Sequence, residues 1–336
     1  MDMRQVADGV YATSRAAMLA EVADVVVFDM DGVLIDVHRS YPVVICEAVS
    51  AYLREQGFTG DGLAVTPEET ALFKAAGGFN SDWALAQGLA LIFLVKESMD
   101  GIRHIDGLRS LAPDLATVAR ACGQYGGGLI GLFRALSNWI DEEELDRVKA
   151  HWDIDRITRL AQEFYAGDES PDVFGFTNET FIGRGLMREE EPLVNREKLL
   201  AAPFRYGLYT GRNMGEAQIA VKSAGFAGVF QTEAMVTSDK GVQKPNPQGL
   251  AMVAQSVQPR LMIYVGDNLD DWQTAARYEA ERPLDAPPCL FCGMLGGSPG
   301  PLAFSLFEER GADLIAQSVN QLIDWLSVRH VNHGSV

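Results

Sequence analysis

The chain has 336 residues, 47% of them hydrophobic and 22% charged, with a formal net charge of −18. The length predicts two compact units, or one carrying a large insertion, and the composition excludes a largely disordered chain. An acidic chain with no basic stripe makes nucleic acid and anionic membrane surfaces poor partners; a small anionic ligand fits only where local cations cancel the field. In chain order, residues 1–21 lack the apolar core of a secretory signal, and a soluble cytoplasmic protein is expected. The first clear element is Asp24-Val-Val-Val-Phe-Asp29, a continuous apolar run that reads as a strand buried on both faces and ends in a carboxylate. A turn follows at Asp31-Gly32.

From about Ser40 to Asn195 the apolar spacing becomes helical. Thr66-Pro67-Glu68-Glu69 marks a capped helix start. The longest apolar run, residues 84–95, is too short to span a bilayer. Gly126-Gly127-Gly128 reads as a tight connection between helices, since no Lys-Ser/Thr follows it as a phosphate loop requires. Strand–helix alternation returns near Pro203. Strands are expected at Phe204–Tyr209, Gly228–Gln231, Arg260–Val265 and Pro288–Met294. Asn213 and Glu216 form a second capping box, opening a helix that Gly225 can end. Further helices begin near Pro301 and Ser318. This pattern predicts an α/β fold: a doubly wound parallel sheet, with a core at 1–38 and 196–336 interrupted by a helical insertion at 39–195.

Cys289 and Cys292 form a CxxC, which invites a metal or redox reading. Residues three apart on a strand face opposite sides, and no second CxxC completes a ligand set, so buried structural cysteines are expected.

In doubly wound sheets ligands bind beyond the carboxyl ends of the strands. Those ends carry Asp29-Met-Asp31-Gly32, Thr210-Gly211-Arg212, the loop Lys244-Pro245-Asn246-Pro247, and Gly266-Asp267-Asn-Leu-Asp270-Asp271. Asp29, Asp267 and Asp271 are hard oxygen donors suited to Mg²⁺. Carboxylates crowd together only if a cation neutralises them, here a divalent ion and Lys244. Thr210 offers a hydroxyl and Gly211 an approachable backbone N–H, completing a cradle for one phosphoryl group. Asp270 reads as a solvated helix start. His38 sits where the core ends, at a hinge or surface position. His104, His151, His330 and His333 form no spaced cluster.

Val-Val-Phe-Asp29-Met-Asp31-Gly32-Val-Leu resembles the first motif, DxDG, of the haloacid-dehalogenase-like superfamily. Leu-Tyr-Thr210-Gly211-Arg, Lys244-Pro-Asn-Pro and Gly266-Asp267-Asn-Leu-Asp-Asp271 resemble its second, third and fourth motifs, in order. The insertion matches the C1 cap position of subfamily IA, and Ser298-Pro299-Gly300 followed by Gly311-Ala312-Asp313-Leu-Ile resembles the ending of its phosphoglycolate-phosphatase-like branch. The insertion is longer than the compact cap usual there. The resemblance implies a phosphatase in which Asp29 is the nucleophile and forms an aspartyl-phosphate. Asp31 would be the general acid and base, with its carbonyl on the metal. Thr210 and Lys244 would hold the phosphoryl oxygens. Asp267 would bind Mg²⁺, and Asp271 would bind it through water or orient Lys244. Asp31 also favours phosphate esters, since dehalogenase and phosphonatase branches lack an Asp there.

The segment Lys74-Ala-Ala-Gly77-Gly78-Phe79-Asn80-Ser-Asp82-Trp83 resembles the cap loop that contacts substrate. Lys74, Asn80 and Trp83 are candidates, against a plain helix stop at Gly77-Gly78 and a core Trp83. Arg212 fits a contact with substrate or the cap, and a surface ion pair equally well. A small phosphorylated metabolite is the expected partner: phosphoglycolate, a phosphosugar or histidinol phosphate. A phosphomutase of the β-phosphoglucomutase type is the alternative, a non-catalytic binding module the second. A homodimer remains open.

Overall fold

The computed structural model describes residues 3–79, 81–296 and 303–333, the last three by backbone alone. The chain divides into two compact units, residues 1–37 with 190–336, and residues 38–189.

The first unit is built on an eight-stranded sheet. Its strands are β1 (Met3–Ala7), β2 (Val10–Thr13), β3 (Val25–Phe28), β6 (Arg205–Tyr209), β7 (Met235–Val236), β8 (Met262–Gly266), β9 (Cys289–Met294) and β10 (Leu314–Ala316). A separate two-stranded ribbon pairs β4 (Ile35–Asp36) with β5 (Glu191–Pro192). The sheet order is β1-β2-β10-β9-β8-β3-β6-β7. The six strands from β10 to β7 are mutually parallel. The chain winds from β3 to β6 and β7 on one side, then from β8 to β10 on the other. Strand order therefore reverses between β3 and β8, and in such sheets ligands bind beyond the carboxyl ends at the reversal.

Two-faced burial explains the sequences of these strands. All four side chains of β3 are 0% exposed. Val26 and Phe28 join one apolar cluster, Val25 and Val27 the other. Each such side chain contributes about 1.5–3 kcal/mol by leaving water. The same alternation separates Cys292 from Cys289, which lie in opposite clusters as free, buried thiols. A shared metal is thereby excluded.

Three features differ from the expectations. The hairpin β1–β2 precedes the first expected strand and lies antiparallel on β10. The expected strand at Gly228–Gln231 is a turn, with Gly228 at φ +82°, and the short strand comes later, at β7. Val229 and Phe230 pack on the core from that turn, so their apolarity reflects burial without pairing. The return to the core unit falls at Glu190 rather than at 196, because β5 pairs with β4.

The second unit is helical. Helices Tyr41–Glu55, Asp82–Asp100 and Ile154–Ala166 pack against one another. Thr66 and Glu69 form the expected capping box. The Gly126–Gly128 turn joins helix Leu115–Gln124 to helix Gly128–Leu136. Gly128 N–H donates to Gly77 O at 3.0 Å. A Cβ on Gly127 would lie 2.0 Å from that oxygen, so only glycine permits the approach. Among the described residues no helix is long and apolar enough to cross a membrane.

Candidate active site

The ladder positions the first carboxylate. Asp29 N–H donates to Val265 O at 2.9 Å, extending β3 by one residue between β6 and β8. Its side chain is buried, with Oδ1 accepting the Met30 N–H at 2.8 Å. Oδ2 lies 2.7 Å from Lys244 Nζ. The same ammonium lies 2.8 Å from Asp271 Oδ1. Asp271 is fully buried and also accepts the Tyr264 hydroxyl at 2.6 Å and the Asp267 and Asn268 N–H groups at 3.2 and 3.3 Å. It opens helix Leu269–Glu281 as the third residue of a capping box on Asn268. Asp271 thus contacts both Lys244 and the helix start.

One carboxylate oxygen each from Asp29, Asp267 and Asp271 lie within 4.8 Å of one another. Burial pushes the Asp29 carboxyl well above its ordinary range; Lys244 opposes this, while Asp271, Asp267 and Asp31 add to it. Burial, then Asp271, push Asp267 up to about 7. Burial alone would lower Lys244, but Asp271 and Asp29 raise it and keep it charged. Three acids around one ammonium are under-neutralised. The donor set is all carboxylate oxygen, and a hard divalent cation held by Asp29 and Asp267 would relieve the repulsion.

Thr210 is buried where β6 ends, and its Oγ1 accepts the Arg212 N–H at 3.2 Å. Gly211 between them is exposed. Arg212 is no surface residue. Its side chain is 1% exposed, with Nη2 2.6 Å from Asp31 Oδ1 and 3.0 Å from Glu190 Oε2. The structure therefore brings Asp29, Asp267, Asp271 and Lys244 together, and separately joins Asp31 to Arg212. Asp270 lies in the first turn of helix Leu269–Glu281, and its N–H donates to Asn268 Oδ1 at 2.9 Å.

Lys74 and Trp83 belong to the helical unit. Lys74 pairs with Asp82 at 2.9 Å. Trp83 packs edge-on against Tyr41, Tyr165 and Phe174. Gly77 and Gly78 do stop helix Pro67–Ala75. Asn80 and the stretch 298–300 lie outside the described residues. Asp313 serves the sheet, with Oδ2 accepting the Phe291 N–H at 3.1 Å.

Sequence reasoning missed Tyr264 and Glu190. Tyr264 reads as a core strand residue, and only its three-residue offset from Asp267 hints at the site end. Glu190 hides in the run Glu189-Glu190-Glu191, which reads as a solvated face.

No family model and no curated protein matches the sequence. Solved structures do. The chain is similar to phosphatase Tt82 from Thermococcus thioreducens, with 23% identity over 89% of this chain and 97% of that one, at a TM-score of 0.54. It is also similar to a structural-genomics target, with 17% identity over 91% of this chain and all of the other, at 0.61. A HAD-superfamily hydrolase of subfamily IA from Geobacter sulfurreducens aligns at 15% identity over 91% and 97%, but at 0.41. The first two likenesses establish a shared fold.

Proposed function

We propose that this chain, whose fold is that of the haloacid-dehalogenase-like superfamily, is a Mg²⁺-dependent phosphohydrolase acting on a small phosphorylated metabolite. One observation carries the reading: Lys244 bridges Asp29 and Asp271 at 2.7 and 2.8 Å, with Asp267 alongside, at the strand-order reversal. A buried carboxylate beside a fixed ammonium and a place for a divalent ion is what in-line phosphoryl transfer requires.

An Asp29 carboxylate oxygen forms a bond to phosphorus while the bond to the leaving oxygen breaks and its electron pair stays on that oxygen. Asp31 gives the leaving oxygen its proton. Water then attacks phosphorus and loses a proton to Asp31, and the bond to Asp29 breaks with its pair returning to the carboxylate. Lys244 and the Thr210–Gly211 segment hold phosphoryl oxygens. Asp271 and Tyr264 hold Lys244 in place. Bound Mg²⁺, on Asp29 and Asp267, supplies charge neutralisation for the phosphoryl group.

The test is release of inorganic phosphate from a panel of small phosphomonoesters with Mg²⁺, with Asp29→Asn as control. Release that needs Mg²⁺ and vanishes in the variant is expected. An Asp29→Asn protein as fast as the parent would overturn the assignment. Phosphate reappearing on a second sugar hydroxyl, with none free, would replace hydrolysis by mutation of the ester.

A further inference from the structure

Arg212 offers no free charge to a ligand. Its Nε donates to Asp31 Oδ1 at 2.8 Å, and Nη2 lies 2.6 Å from the same oxygen. Nη2 also meets Glu190 Oε2 at 3.0 Å. Side-chain exposure is 1% for Arg212, 5% for Glu190 and 31% for Asp31. The Arg212 backbone is pinned at both ends: its N–H donates to Thr210 Oγ1, and its carbonyl accepts the Ser238 N–H at 2.9 Å. The two carboxylates precede the two strands of the β4–β5 ribbon. Asp31 bridges to Ile35 in β4, and Glu190 immediately precedes β5. A guanidinium this deeply buried is costly to desolvate, and removing a partner is more so.

We propose that Arg212 is a positioning residue for Asp31, held in turn by Glu190; this rests on the phosphohydrolase reading. Two donors on one oxygen fix the plane of the Asp31 carboxylate. Oδ1 is clamped, which leaves Oδ2 for proton transfer. Oδ2 protonates the leaving oxygen as its bond to phosphorus breaks, then takes the proton of the water whose oxygen bonds to phosphorus as the acyl-phosphate bond to Asp29 breaks and its electron pair returns to that carboxylate. Arg212 thus acts on both proton transfers without touching substrate.

The experiment compares p-nitrophenyl phosphate, whose phenolate departs with little need of a proton, with glycerol 2-phosphate, whose alkoxide needs one. Arg212→Lys cannot reproduce the planar fork. With p-nitrophenyl phosphate it is expected to release about one equivalent of phenolate in a burst, then turn over roughly 10–100-fold more slowly than the parent. With glycerol 2-phosphate the whole rate falls by at least as much. Asp31→Asn gives the same signature, and the double variant is no slower than Asp31→Asn alone. Glu190→Gln gives a milder version, and it carries the test if Arg212→Lys does not fold. Parental rates on both esters overturn the proposal. So does a folded Arg212→Lys that loses the burst itself, since the damage then lies at Asp29. A parent protein with neither burst nor turnover on either ester shows instead that the phosphohydrolase reading has failed, and the positioning role falls with it.

Discussion

Buried carboxylates are handled in opposite ways at Glu163 of the helical unit and at Asp29 and Asp267 of the sheet unit. In the helical unit Glu163 is 0% exposed, yet it accepts the N–H groups of Glu179, Thr180 and Phe181 at 3.1, 2.7 and 3.0 Å and the Arg159 Nε at 3.0 Å. Burial pushes its carboxyl up, but those donors outweigh burial and hold it below the ordinary value. Lys96 is also buried and donates to the carbonyls of Leu111 and Pro113 at 2.7 and 3.1 Å, although burial still lowers its ammonium below the ordinary value. These charges tie loops to helices. In the sheet unit Asp29, Asp267 and Asp271 crowd around one ammonium, and the pKa values of the first two go up. A satisfied buried charge holds a fold together; a crowded one waits for a ligand.

The largest expected effect tests the crowded side. Asp29→Asn should lower phosphate release at least about 10³-fold, read by single-turnover assay, while leaving the fold intact. An unchanged rate would place the chemistry elsewhere.

Lys244→Met leaves two buried acids, Asp29 and Asp271, and the half-buried Asp267 without their cation. Metal-free protein should lose about 3 kcal/mol of stability in denaturant titration, and Mg²⁺ should restore part of it. No loss would mean that the acids are not frustrated. Its counterpart is Glu163→Gln, which swaps the charged acceptor for a neutral one under three N–H groups. About 1–3 kcal/mol should go from the helical unit, seen as faster hydrogen exchange at residues 179–181, with no response to Mg²⁺.

The two regions should also respond oppositely to pH. Asp267 has a folded pKa of about 7 against an ordinary 3.8, so its contribution is full below 3.8 and is lost as pH rises through 7. Glu163 sits below its ordinary 4.5, so its contribution is present above that value and is lost as pH falls beneath it. Hydrogen exchange on metal-free protein should therefore show the sheet unit loosening from pH 4 to 7, and the helical unit loosening on acidification. Parallel trends in both would break the contrast. The smallest effect is Thr66→Ala, about 1 kcal/mol of helix stability from the lost cap and none in phosphate release.

What the sequence made legible follows from the same physics. Val25–Phe28 announces a strand buried on both faces because nothing polar interrupts it, and Asp29 announces the strand's end because a lone carboxylate cannot stay inside. Gly228–Gln231 reads as a strand because its apolar residues are buried, yet they pack from a turn and the strand follows at Met235–Val236. The hairpin at residues 3–13 has only partial burial on β1, so its pattern carries little signal. The Asp31–Arg212–Glu190 link was illegible because its members lie 181 and 22 residues apart and each looks like a surface charge alone.

The N-terminal hairpin has a further consequence for how the chain assembles. Ala12 in β2 pairs with Leu314 in β10, about 300 residues later, and β3 must wait across the whole helical insertion for β6. Loops that long close late, and contacts so distant in sequence slow folding. During synthesis the helical unit emerges whole and can compact early, while the β1–β2 hairpin keeps an open edge until β10 arrives and β3 until β6 and β8 do.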